Sequence, residues 1–163
     1  MIVDQQKAHE RILYERYMNR TRSGGVQRVI FPETLTLSPA QNTVMEAITG
    51  ELSERGFELT RAGESRWSVD GLPTGISEAS ARETILAMID SVEQTGETDS
   101  EAINRVMALA MARSSAVKAG QPLTPAEMDR IMGQLLALPA PGLSPDGHRV
   151  FTIVTTDDIA KML

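Results

Sequence analysis

Three carboxylates stand close together at the start of this chain: Asp4, Glu10 and Glu15, within Asp4-Gln5-Gln6-Lys7-Ala8-His9-Glu10-Arg11-Ile12-Leu13-Tyr14-Glu15. Carboxylate oxygens bind hard cations, and a ligand set of that kind converges from several elements. Glu10 and Glu15 lie five residues apart, about 140° around an ideal helix, so they do not share one small site directly. Asp4 precedes the helical pattern and can fold toward either. The same residues have a structural reading. Asp4 sits where a helix N-cap belongs, and glutamates on a helix form surface ion pairs. The chain has no cysteine, which excludes thiolate metal sites and disulfides, and it has only two histidines, His9 and His148.

Two further patterns carry less. Ser115-Ala116-Val117-Lys118 spells the S-x-x-K of some acyl-transfer enzymes, without companion motifs and inside an Ala-rich helix. Lys7, Arg11, Arg16, Arg20, Arg22 and Arg28 fall in one stretch against Asp4, Glu10 and Glu15. That stretch reads either as a solvated helix face or as a patch for nucleic-acid phosphates. The net charge of −6 argues against a surface basic all over.

The elements that must hold these groups follow from periodicity. Ala8, Ile12, Leu13, Tyr17 and Met18 predict a helix over 5–20, followed by a polar hinge from Thr21 to Gly25. Val26 to Leu37 alternates like a strand, and Pro32 makes it an edge or a bend. Ser38-Pro39-Ala40-Gln41 is a capping box that opens a helix stopped by Gly56. Phe57–Arg61 and Arg66–Leu72 read as strands around the turn 62–65. Helices follow over 80–95 and 100–119. Thr124-Pro125-Ala126-Glu127 opens another. A turn at Asp146-Gly147 precedes a strand over 150–155 and a short last helix from Thr156. Helices and strands in this order predict an α+β fold (mixed α/β).

The chain's 163 residues suffice for one domain or two small subdomains, and nine Met partly replace scarce aromatics as core fillers. No apolar run reaches the roughly 20 residues that span a bilayer, and no signal peptide is visible. A cytoplasmic, membrane-free protein is the expectation. The abrupt opening Met1-Ile2-Val3 suggests a strand remnant cut from a longer protein, with Met1 an added start.

Three segments together resemble the C-terminal domain of the MutL family of DNA mismatch-repair proteins. Its strand runs into a helix carrying Asp-Gln-His-Ala-x-x-Glu-x-x-x-x-Glu. Asp4, Gln5, Glu10 and Glu15 match; Gln6 replaces the His and Lys7 the Ala. Ala112-Arg113-Ser114-Ser115 resembles the family's Ala-Cys-Lys/Arg segment, with Arg113 at the Cys within about one residue. Ser144-Pro145-Asp146-Gly147-His148-Arg149 resembles its Cys-Pro-His-x-Arg turn, with Ser144 for Cys and Asp146 for His. Gln27-Arg28-Val29-Ile30-Phe31-Pro32 resembles the segment by which the family contacts the replication sliding clamp. Gln27 would supply an amide, and Ile30 and Pro32 apolar anchors. Alternatively, Ile30 and Phe31 begin a core strand.

The resemblance implies a dimerisation subdomain (1–22 and 121–163) with a regulatory subdomain (23–120) inserted. It implies a homodimer that docks on the sliding clamp and works with a MutS-type protein, and weak DNA contact is open to it. The family's ATP-binding part would be a separate N-terminal domain. The nicking members hold metal through His, Glu and Cys at these positions, and of those this chain clearly keeps only Glu10. A non-enzymatic domain without cofactor or metal is therefore the expectation, with Arg113 neutralising Asp4 or Glu10 in place of a metal. The alternative is a metal-dependent nickase with an all-oxygen site of Asp4, Glu10 and Asp146.

Overall fold

A computed structural model describes residues 1–19 and 25–162, without the side chain of Met162. Arg20, Arg22 and the hinge from Thr21 to Gly24 lie outside the described residues. The chain divides into two compact units, Met1–Glu15 with Ala116–Leu163, and Arg16–Ser115. The helix α1 (Gln5–Met18) begins in the first and ends in the second. The mixture of helix and antiparallel sheet is the α+β class expected.

The second unit contains a three-stranded antiparallel sheet in the order β2 (Val26–Thr36), β4 (Arg66–Pro73), β3 (Glu58–Arg61). Three helices accompany it: α2 (Pro39–Glu54), α3 (Glu78–Thr95) and α4 (Ser100–Ser115). The α2 capping box forms as the sequence predicts, with Gln41 N–H donating to Ser38 Oγ and Ser38 N–H to Gln41 Oε1, both at 3.2 Å. Helix α3 starts earlier than its apolar period suggests, because Ser77 caps it by accepting from Ser80 N–H. Met45, Met88, Met107 and Met111 are fully buried, as are Ile48, Leu52, Ile85, Ile89 and Leu72. Unbranched, polarizable side chains fill the irregular space that aromatics would occupy elsewhere.

β4 is the central strand, and Gly71 lies where it is most crowded. A Cβ there would sit 2.8 Å from both Val26 Cγ1 and Glu58 Oε2. The absent side chain lets both neighbouring strands close on β4.

The first unit is smaller. β1 (Ile2–Val3) pairs antiparallel with β5 (Phe151–Thr152), and Asp4 N–H extends the pairing to the Val150 carbonyl at 2.9 Å. Its core joins Ala8 and Ile12 of α1, Ile131 and Leu135 of α5 (Pro125–Leu136), and Val150. Helix α6 (Thr156–Met162) closes the described chain.

Two elements are shorter than expected. β5 covers two residues, Phe151–Thr152, and not 150–155. Ile153 is left exposed, and Thr155 already caps α6 through Asp158. Helix α4 stops at Ser115, not Ala119. The N–H of Val117 is donated to His9 Nδ1 at 3.1 Å, and Gly120 then turns the chain at φ +76°. His9 is half-buried and accepts that backbone bond.

Candidate functional site

Asp4 is an N-cap. Its Oδ1 accepts from Lys7 N–H at 3.0 Å, and its Oδ2 meets Lys7 Nζ at 3.0 Å. Partial burial pushes its pKa up, but the hydrogen bonds and charge of Lys7 outweigh this and hold it below the usual Asp value. Glu10 is buried, at 7% exposure, and Gln6 is half-buried. Glu15 accepts from Arg11 Nη2 at 2.5 Å, one turn away. Two of the six N-terminal cations are thus ion-paired, Lys7 to Asp4 and Arg11 to Glu15. Arg16 and Arg28 are exposed.

The turn at 144–148 folds around a buried hydroxyl. Ser144 is 3% exposed, and its Oγ donates to Asp146 Oδ1 at 2.5 Å while accepting from His148 N–H at 3.0 Å. A hydroxyl has one proton to give, so this pairing occupies it. The His148 carbonyl takes Ser144 N–H at 2.8 Å, and Leu143 bridges to Arg149 beyond it. His148 Nε2 stands 3.5 Å from Asp146 Oδ2. Ser144 and Asp146 therefore build a hairpin turn. Among the described residues, no three His, Asp or Glu side chains gather closely enough to hold a metal ion.

In the second unit, Arg113 is exposed in the last turn of α4. Gln27 and Pro32 of β2 are exposed, and Ile30 and Phe31 are 78% and 85% exposed. The core-strand reading of Ile30 and Phe31 is thereby overturned. Val29 is half-buried. Ser115 of the S-x-x-K pattern accepts from Tyr17 Oη at 3.3 Å, a structural bond.

Periodicity gave no hint of Arg55. It is 7% exposed, donating from Nη1 to the Tyr17 carbonyl at 3.0 Å and from Nη2 to the Asn104 carbonyl at 2.6 Å. Its only trace in the sequence is an Arg-Gly pair at the end of an apolar helix, which also occurs on open surfaces. Among the described residues no helix is long and apolar enough to cross a membrane.

The fold class, the strand-to-helix start capped by Asp4 and the Ser144 turn are the frame that the sequence motifs anticipate. A family model, the MutL C-terminal dimerisation domain, matches residues 1–123, and the chain belongs to that family. It is 33% identical over 164 residues to the DNA mismatch repair protein MutL of Phocaeicola vulgatus, covering 99% of this chain and 26% of that protein. The Bacteroides fragilis MutL gives the same identity and coverage, and that of Methanocorpusculum labreanum is 32% identical over 99% of this chain and 28% of its own length. The chain spans about a quarter of the length of these relatives.

Proposed function

We propose that this chain joins two copies of a MutL-type mismatch-repair protein and docks it to partners, without cutting DNA. The observation that carries the reading is membership of a dimerisation-domain family together with the residues at the metal positions. An amide (Gln6), a guanidinium (Arg113), a buried hydroxyl (Ser144) and a carboxylate committed to that hydroxyl (Asp146) stand where the nicking members have ligands. A hydroxyl is a poor substitute for thiolate, and a permanent cation opposes a divalent ion.

The first unit, with the expected subdomain 1–22 and 121–163, would form the homodimer. Met1, Val3, Leu123, Met128, Ile131 and Met132 line a groove of about 280 Å³ there. The second unit, Arg16–Ser115, which overlaps most of the expected 23–120, would be regulatory and carry the clamp contact at Gln27, Ile30 and Pro32. A MutS-type partner, weak DNA contact and a cytoplasmic setting come with the family reading. ATP binding would belong to another part of the whole protein.

Two measurements test this. Molar mass should stay near twice 17.8 kDa on dilution, and a stable monomer would remove the joining role. Supercoiled plasmid incubated with manganese should stay intact. Nicking that disappears in Glu10→Ala would establish the all-oxygen nickase instead.

A further inference from the structure

The three-stranded sheet has two edges, β2 and β3. Among the described residues β3 pairs only with β4, so the main-chain N–H and C=O groups on its outer side join no ladder. The register shift in that pairing falls on Asp70 of β4, between Glu58↔Gly71 and Leu59↔Val69, and β3 itself runs unbroken. β3 carries neither Lys nor Pro, residues that commonly blunt a strand edge.

β3 borders a hollow of about 370 Å³. Helix α2 contributes Thr49 and Ser53 to its lining, and the sheet side contributes Phe57, Glu58, Leu59 and Asp70. Phe57 is buried and Leu59 half-buried, so part of the lining is apolar.

The lining holds two carboxylates and no Lys, Arg or His. Asp70 accepts from Ser68 Oγ at 2.6 Å and from Thr60 Oγ1 at 2.5 Å. These hydroxyl bonds, that of Ser68 first, outweigh partial burial and hold its pKa below the usual Asp value, so it is ionised at neutral pH. Glu58 is exposed and has no ion pair among the described residues. The cation of β3, Arg61, is engaged elsewhere. Its Nη1 meets Glu46 Oε1 of α2 at 2.8 Å, and its Nε and Nη2 donate to the carbonyls of Gly63 and Glu64 at 3.1 and 3.0 Å. Unmatched negative charge beside an open strand edge suits an occupant that brings both a main chain and a cation.

We propose that β3 and α2 form a docking groove for an extended basic peptide of a partner protein, which adds to β3 as a new strand and sets a Lys or Arg against Glu58 and Asp70. Main-chain bonds along an edge give affinity whatever the sequence, and the side-chain hollow gives selectivity. A Lys stem lies against Phe57 and Leu59 while its ammonium reaches the carboxylates. The same charge repels nucleic acid. Gln27, Ile30 and Pro32 stand on β2, the other edge strand, so this groove does not rest on the clamp reading.

The test titrates the 163-residue chain with acetyl-Thr-Lys-Val-Lys-Val-Lys-Thr-amide and follows ¹H–¹⁵N spectra. Shifts should concentrate at residues 49, 53 and 57–61, with cross-strand NOEs between peptide and β3. Glu58→Gln and Asp70→Asn should each keep the thermal midpoint within a few degrees and weaken binding about tenfold, the worth of one charge-assisted bond. Added salt should weaken binding too. A peptide with Glu for Lys should fail to bind, and so should a Lys peptide N-methylated at alternate main-chain nitrogens. Equal binding by the N-methylated peptide would overturn strand addition. Wild-type affinity in both carboxylate variants would overturn selection by charge. Shifts that spare β3 and α2, or no binding at all, would overturn the groove. None of these outcomes bears on the joining of two copies, which molar mass reads separately.

Discussion

The guanidinium of Arg55 donates from Nη1 to the main-chain carbonyl of Tyr17, near the C-terminal end of α1, at 3.0 Å. Carbonyls there have no intrahelical partner, and the helix dipole concentrates negative charge at that end. A buried cation thus finds an acceptor that needs one, and the Asn104 carbonyl of α4 takes a second bond. Removing the guanidinium strands the Tyr17 carbonyl at the end of α1 and takes a second bond from the Asn104 carbonyl. Arg55→Met is expected to destabilise the second unit by about 3 kcal/mol, because charge-assisted bonds to buried groups are lost together. Urea denaturation of both proteins measures it, and equal midpoints would show that the Arg55 bonds add nothing to stability.

Gly71 gives a prediction of opposite kind, too much atom in place of too little. Gly71→Ala puts a methyl 2.8 Å from Val26 Cγ1 and Glu58 Oε2. Overpacking of this sort costs about 1–3 kcal/mol. The expected result is a lower thermal midpoint, with further loss in Gly71→Val.

Asp4 makes the stability of the first unit depend on acid. Its pKa is lowered in the folded chain, so its contribution is complete above the unfolded value and disappears as pH falls through the folded one. Asp4→Ala should cost about 1 kcal/mol at neutral pH, the usual worth of an N-cap. Below the folded pKa of Asp4 the charge-dependent part of that gap should close. Asp4→Asn keeps a capping acceptor and should remove the pH dependence more than the cap. Unfolding curves from pH 7 down to about pH 3 decide it.

Ser144 is predicted to serve the turn. Ser144→Ala removes the donor to Asp146 and the acceptor for His148 N–H, and should cost about 1–2 kcal/mol. Titration calorimetry with zinc or manganese should find no tight site in the wild-type chain. The combined variant Gln6→His, Arg113→Cys, Ser144→Cys and Asp146→His should gain one. Tight binding by the wild type, lost in Asp146→Ala, would favour the all-oxygen site.

Much of the fold was legible because its signals are local. Ser38 with Gln41 and Thr124 with Glu127 are capping boxes readable from four consecutive residues, and both form. The apolar period placed α2, α3 and α5 within a few residues. Asp4 as a cap and Pro32 as a break in pairing follow from what those residues can and cannot hydrogen-bond. The family was legible too, because its segments keep their order along the chain.

Tertiary structure decided what depends on distant partners. β5 pairs with β1 over two residues, a register invisible in the apolar run Val150–Val154. Helix α4 ends where His9, over a hundred residues earlier, takes the Val117 amide. Ile30 and Phe31 look like core by composition. They stand outside because β2 carries more residues than β4 can match between Arg28 and Glu33. Arg55 reads as a surface charge until folding brings two main-chain carbonyls to it. Sequence specifies the bonds a residue can make with its near neighbours; which distant groups meet it depends on how whole elements pack.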